Sequence, residues 1–223
     1  MPLRRRSILD QEINGLNDSI LRLGSMVNTA IEQAMLALDG RDVALAEQVI
    51  AEDSEVNRLR YDIEEAALRV LATQQPMASD LRCVVAAIHL AVELERIGDH
   101  ATGVARLVAR LEREDEIDTL HKLPKMAKRA RQMLETGITA YIKRDADAAR
   151  ALIKHDDKID KQYNKLFRET LEEMRDDDYI RRATYLLWVG HNLERIGDRA
   201  TNIAERVIFM ITNEFIEVMD EMD

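Results

Sequence analysis

With one cysteine, Cys83, among 223 residues, the chain can build neither a disulfide framework nor a thiolate zinc site of its own. Cys83 lies in an apolar helical run and reads as a small core residue. Aromatic residues make up only 4% and prolines number three, while Ala, Leu, Glu, Arg and Ile abound, which favours packed helices over sheets. No stretch reaches the length of apolar residues that a membrane span needs, because His89 interrupts Val84 to Val92 and Glu205 and Arg206 interrupt Ile203 to Thr212. The opening Met-Pro-Leu-Arg-Arg-Arg runs into Ile8-Leu9-Asp10-Gln11-Glu12 instead of an apolar segment, so no secretory signal is expected and the expected location is the cytoplasm. A glycine-rich phosphate loop and a nucleophile-base constellation are also missing, and no enzymatic activity is expected. Basic residues are in deficit, 32 against 42 acidic ones, for a formal net charge of −10. A chain of that charge is expected to repel nucleic acid and anionic membrane surfaces and to suit cations or a basic protein partner. The basic cluster from Lys125 to Arg131 has helical spacing and reads as a solvated face.

What the sequence does contain is one stretch written twice. Leu94-Glu95-Arg96-Ile97-Gly98-Asp99 returns as Leu193-Glu194-Arg195-Ile196-Gly197-Asp198. In each copy a glutamate and an aspartate stand four residues apart in an apolar-periodic segment, so on a helix both carboxylates leave the same face. Such pairs offer oxygen ligands to hard cations, with water completing the shell. The competing reading makes them ordinary surface charges, with Arg96 pairing to Asp99 within the helix. Gly98 and Gly197 argue for more than that: glycine inside a helix costs roughly 1 kcal/mol relative to alanine, so its presence points to a close approach.

The spacing predicts three helices in the first half, over about Ile13–Leu38, Val43–Ala72 and Met77–Glu114. Gly40 is suited to a left-handed cap after the first, and Asp42 to the N-cap of the second. The third carries a buried seam through Leu90, Leu94, Ile97, Ala101 and Val104, with Glu95 and Asp99 beside it. A polar stretch from Glu112 to Leu123, closed by Pro124, reads as the connection.

The second half replays the first. Arg41-Asp42, Ile50 and Asp53 match Arg144-Asp145, Ile153 and Asp156 at a displacement of 103, which becomes 99 from Glu95 to Glu194. The expected fold is therefore all-α, two tandem antiparallel three-helix bundles related by internal duplication, at residues 8–114 and 122–218. Asp53 with Asn57, and Asp156 with Asp160, stand four apart on the second helix of each unit and are candidate co-ligands. His191, three before Glu194, shares its face, whereas its counterpart is Val92, and Glu205 has Arg106 as its counterpart. The second site is expected to bind metal more strongly. His100 points about 100° away from Asp99 and reads as a surface residue, and His89, His121 and His155 as structural.

Pro76-x-Ala78-x-Asp80-Leu81-Arg82 ahead of the first motif, and Ala200-Thr201-Asn202-Ile203-Ala204-Glu205 after the second, give the chain a resemblance to the PhoU-type phosphate-signalling regulators. The resemblance covers nearly the whole length. It implies two three-helix bundles in a cytoplasmic, often homodimeric protein without an integral membrane segment or nucleic-acid partner. It further implies metal clusters on the acidic faces, at Glu95 and Asp99 and at Glu194 and Asp198, with Asp53, Asn57, Asp156 and Asp160 as co-ligands. Fe, Mn, Mg and Zn are not distinguished. The implied role is to restrain phosphate uptake and the phosphate-starvation response by binding the phosphate importer ATPase subunit and a sensor histidine kinase. Arg199 stands where many relatives have histidine, Gly103 matches Asn202 and Asn57 matches Asp160, departures that would leave the first cluster short of ligands. The alternatives are a carboxylate-bridged di-metal oxidase, which usually wants Glu-x-x-His pairs that this chain lacks, and a metal-independent helical adaptor.

Overall fold

A computed structural model describes residues 2–112, 114, 122–154, 157–176 and 179–216, with side chains at Arg6 and from residue 8 onward. Among them every regular element is a helix: α1 (Pro2–Gly40), α2 (Val43–Gln74), α3 (Ser79–Leu111), α4 (Leu123–Lys143), α5 (Ala146–Ile153), α6 (Asp157–Glu173) and α7 (Ile180–Thr212). The first repeat is α1–α3. In the second, the middle helix expected from the duplication is delivered as α5 and α6. Asp157 and Asp160 lie in the first described turn of α6.

The turn between the first two helices of each repeat is built alike. Asp42 caps α2 by accepting from Leu45 N at 3.0 Å, and Asp145 caps α5 by accepting from Ala148 N at 2.9 Å. The left-handed residue is not Gly40, as the sequence suggests, but Arg41 at φ 51°, and Arg144 repeats it at φ 52°. Gly40 closes α1 in helical conformation, because the chain turns one residue later to bring Asp42 N onto Ala37 O at 2.8 Å. Asp42→Ala and Asp145→Ala are each expected to cost about 1 kcal/mol, read from urea denaturation monitored by circular dichroism.

The long helices α1, α3, α7 and α4 pack in a closed circuit, with α2 outside α1 and α3, and with α5 and α6 outside α4 and α7. The seam residues Leu90, Leu94, Ile97, Leu193 and Ile196 are all fully buried. Helices α3 and α7 run antiparallel: Arg82 Nε donates to Met210 O at 3.0 Å near one end, and Asn202 Nδ2 donates to Glu93 Oε2 at 3.2 Å nearer the middle. Across α1 and α4, Arg131 Nε donates to Asn28 Oδ1 at 2.9 Å, while Asn28 Nδ2 donates to Glu135 Oε1 and Arg131 reaches Glu32, each at 3.1–3.2 Å. Positions 28 and 131, and 32 and 135, are repeat equivalents, so the same contact is made twice with roles exchanged. That reciprocity is the signature of an approximate twofold axis between the repeats.

Candidate metal centre

In the first repeat α2 brings Asp53 against α3. Asp53 Oδ1 accepts from Thr102 Oγ1 at 3.2 Å, and its Oδ2 accepts from Asn57 Nδ2 at 3.1 Å. Gly98 makes this approach possible: a Cβ there would lie 3.1 Å from Val56 Cγ1 and 3.7 Å from Asp53 Oδ1. Burial and then the charge of Asp99 push the Asp53 carboxyl above its ordinary range, against the pull of Thr102, Arg106 and Asn57. Burial, then Asp99 and less strongly Asp53, raise Glu95 as well, against Arg60 and Arg96. The three acids thus share one repulsive field, the condition that a bound cation would relieve. A cavity of about 410 Å³ opens beside Asp53, Gly98 and Thr102. Arg96 lies 3.6 Å from Glu93, one turn before it, where the simplest surface reading pairs it with Asp99 one turn after.

In the second repeat Asp160 on α6 meets Glu194 and Asp198 on α7. One carboxylate oxygen from each lies within 4.8 Å of the other two, and all three residues are half-buried. Arg195 Nη1 donates to Asp198 Oδ2 at 2.7 Å, an i to i+3 pair within α7. His191 Nδ1 sits 3.3 Å from Glu194 Oε2 and its ring lies 6.0 Å from that of Tyr163. It flanks the trio without joining it. Burial and the charge of Glu194 raise the Tyr163 hydroxyl above its ordinary range.

Of the sequence candidates, the fold therefore gathers Asp53 with Asn57 and places Glu95 and Asp99 in their field, and it gathers Asp160 with Glu194 and Asp198. Asp156 lies outside the described residues. Asn57 serves as a donor to Asp53, a role its amide allows and a carboxylate would not. Sequence reasoning missed Thr102, although the signal was present: a threonine follows the motif aspartate by three in both copies, Thr102 after Asp99 and Thr201 after Asp198. Thr201 is 5% exposed, and its Oγ1 has no hydrogen-bond partner among the described residues.

His100 departs from the surface assignment. It is half-buried between α3 and α7, with Nδ1 3.1 Å from Asn192 Oδ1. Burial lowers its pKa, Asn192 opposes, and the nearby Arg199 and Arg195 guanidinium groups lower it further. Gly103 leaves the space that Asn192 fills, since a Cβ there would lie 2.7 Å from its Oδ1. Glu93, equivalent to Asn192, receives Asn202 and lies 3.5 Å from Arg199. Gly103, Arg199 and Asn202 thus meet the opposite repeat, so these departures from the family pattern bear on the contact between bundles rather than on ligand supply to the first acidic face.

The donor sets are carboxylate, amide and hydroxyl oxygens, from the buried Thr102 through the half-buried Asp53, Asn57, Glu95, Asp160, Glu194 and Asp198 to the exposed Asp99. That chemistry fits Mg²⁺, Mn²⁺, Ca²⁺ or iron far better than a soft thiophilic ion.

Two acidic-faced three-helix units, related by duplication and packed about an approximate twofold axis, define a class of tandem helical repeat proteins. The PhoU domain model matches this chain twice, over residues 20–108 and 123–207, and the chain belongs to the PhoU family. A phosphate-specific transport system accessory protein PhoU homolog of Clostridium acetobutylicum is 34% identical over 217 residues, covering 96% of this chain and 99% of that one. Its counterpart in Caulobacter vibrioides is 36% identical over 206 residues, covering 92% and 90%. The crystal structure of PhoU from Pseudomonas aeruginosa superposes with a TM-score of 0.87 at 33% identity, covering 92% of this chain and 99% of that one. That of the phosphate transport system regulatory protein PhoU from Streptococcus pneumoniae gives 0.89 at 32% identity, covering 94% and 100%.

Proposed function

We propose that this chain is a non-catalytic, cytoplasmic regulator of phosphate uptake and of the phosphate-starvation response. The observation that supports this most strongly is the match of both repeats, over nearly the whole chain, to relatives named as accessory or regulatory proteins of phosphate transport. In this reading the protein works as a homodimer and binds the importer ATPase subunit and its sensor histidine kinase. No helix among the described residues is long and apolar enough to cross a membrane, which agrees with action on the transporter from outside the bilayer.

The acidic faces are the proposed metal sites: Asp160, Glu194 and Asp198, flanked by His191, in the second repeat, and Asp53, Glu95 and Asp99 with Asn57 in the first. A cation held there would lock α2 or α6 to its neighbouring long helix and so fix the surface presented to partners. Asp53, held by Thr102 and Asn57, orients one ligand in advance.

Deleting the gene is expected to leave phosphate uptake and phosphate-responsive genes active in replete medium, where they are normally repressed. Reporter expression and labelled-phosphate uptake give the readout, and unchanged repression would overturn the role. Loss of partner binding on chelation would support metal-dependent docking. Retention would favour a metal-independent adaptor.

A further inference from the structure

The repeats share a fold but not a charge. Residues 19–67 carry four arginines against ten acids, a net −6, whereas the equivalent residues 122–170 carry thirteen basic side chains against seven acids, a net +6. The fold collects much of the second set on one side of the molecule. Lys122 on α4 meets Glu169 on α6, and Arg129 Nη1 donates to Lys158 O at 2.9 Å, so the two helices run side by side. A groove of about 600 Å³ lies between α4 and the α5–α6 segment, with Arg129 and Lys158 on its walls. Outside it Lys125, Lys161, Lys165 and Arg168 are exposed. Among these charges Phe167 and Leu171, one turn apart on α6, are 41% and 47% exposed. In the first repeat the positions of Lys158, Lys165, Phe167 and Arg168 are held by Glu55, Asp62, Glu64 and Glu65. The positions of Lys125 and Lys161 keep arginines, Arg22 and Arg58, so it is the excess of basic over acidic charge that is specific to the second repeat.

We propose that the α4–α6 face docks on an anionic membrane surface, with its lysines at the headgroups and Phe167 and Leu171 entering the interface. Basic side chains beside exposed Phe and Leu on one helix are the composition that lies in a lipid interface. Eight of the thirteen cations are lysines, point charges on flexible stems. These suit a fluid array of headgroups, whereas a folded acidic protein is better matched by fixed arginine forks. The formal −10 does not forbid this, because charge more than about a Debye length of 8–10 Å away, on the far repeat, is largely screened. The inference is independent of the regulatory role proposed above.

Flotation of the purified full-length chain with vesicles tests it. Binding is expected to an equal mixture of phosphatidylcholine and phosphatidylglycerol, not to phosphatidylcholine alone, and to be lost at high salt. The triple variant Lys161→Gln, Lys165→Gln, Arg168→Gln should bind about a hundredfold more weakly, at roughly fivefold per basic side chain near such a surface. Phe167→Ser should weaken binding while keeping its salt dependence, and Arg58→Gln, at the position equivalent to Lys161, should leave it unchanged. Unaltered helical circular dichroism establishes that the variants fold. Absence of binding to the anionic mixture overturns the proposal and leaves the face to an acidic protein surface. Equal binding of the triple variant overturns it also.

Discussion

Glu194→Ala is expected to weaken Mn²⁺ or iron binding more than about a hundredfold, whereas Glu95→Ala should cost about tenfold, the lower end of the ten- to hundredfold range for an outer-shell partner. The difference follows from what each carboxylate joins. Glu194 shares a space with Asp160 and Asp198 in which three carboxylate oxygens lie within 4.8 Å of one another, so its loss would remove one of the three proposed ligands. Glu95 contributes to a looser field, in which Asp53 is already held by Thr102 and Asn57. Isothermal titration of the metal-stripped protein measures both variants. Equal losses would show that the repeats bind alike and remove the asymmetry. Affinity unchanged in both would remove the acidic faces as the metal sites.

Leu94→Ala and Leu193→Ala should each destabilise the protein by about 3 kcal/mol, within the range for leucine truncations in closed cores. Both side chains are fully buried at equivalent positions on the two helices that join the repeats. Four helices close on them, so the cavity can collapse little. A loss of that size is a large fraction of the roughly 5–15 kcal/mol that holds a typical domain folded. Chemical denaturation followed by circular dichroism gives the value. Because the helices and their hydrogen bonds persist on either side of the cavity, helix content before the transition should be unchanged. Losses below about 1 kcal/mol would mean that the seam relaxes and is not the shared core described here.

Much of this molecule is readable one helix at a time. The four-three spacing of Leu90, Leu94, Ile97 and Ala101 marks the seam because side chains at those intervals share a helix face, and that face is buried. The same rule places Glu95 with Asp99 and Glu194 with Asp198. Gly98 was legible as a close approach because its cost in a helix demands a reason, and Val56 and Asp53 supply it. Asp42 announced its helix start because capping is a contact of a few residues.

His100 shows where this kind of reading ends. Its angle from Asp99 is set by the helix, but whether that direction meets water or Asn192 is set by α7, ninety-two residues away in the chain. Glu93 and Gly103 on α3, and Arg199 and Asn202 on α7, are polar or small residues, which on either helix taken alone look like solvent-exposed surface. The left-handed turn at Arg41 instead of Gly40 is also decided at a distance: the backbone must deliver α2 onto α1 and α3, and Arg41 Nη1 is tied to the carbonyl of Glu114 at 2.7 Å.

The sequence by itself determined the long helices, the duplication and the paired acids, because periodicity, capping and glycine cost act within a few residues of chain. Only the tertiary structure decided that Asp160 completes the second acidic group, that Asn57 donates to Asp53, that His100 is enclosed and that α4 and α6 bring part of the second repeat's basic charge together. Those are contacts between helices, and the distance between two side chains on different helices is fixed by how the cores pack, which no local spacing encodes.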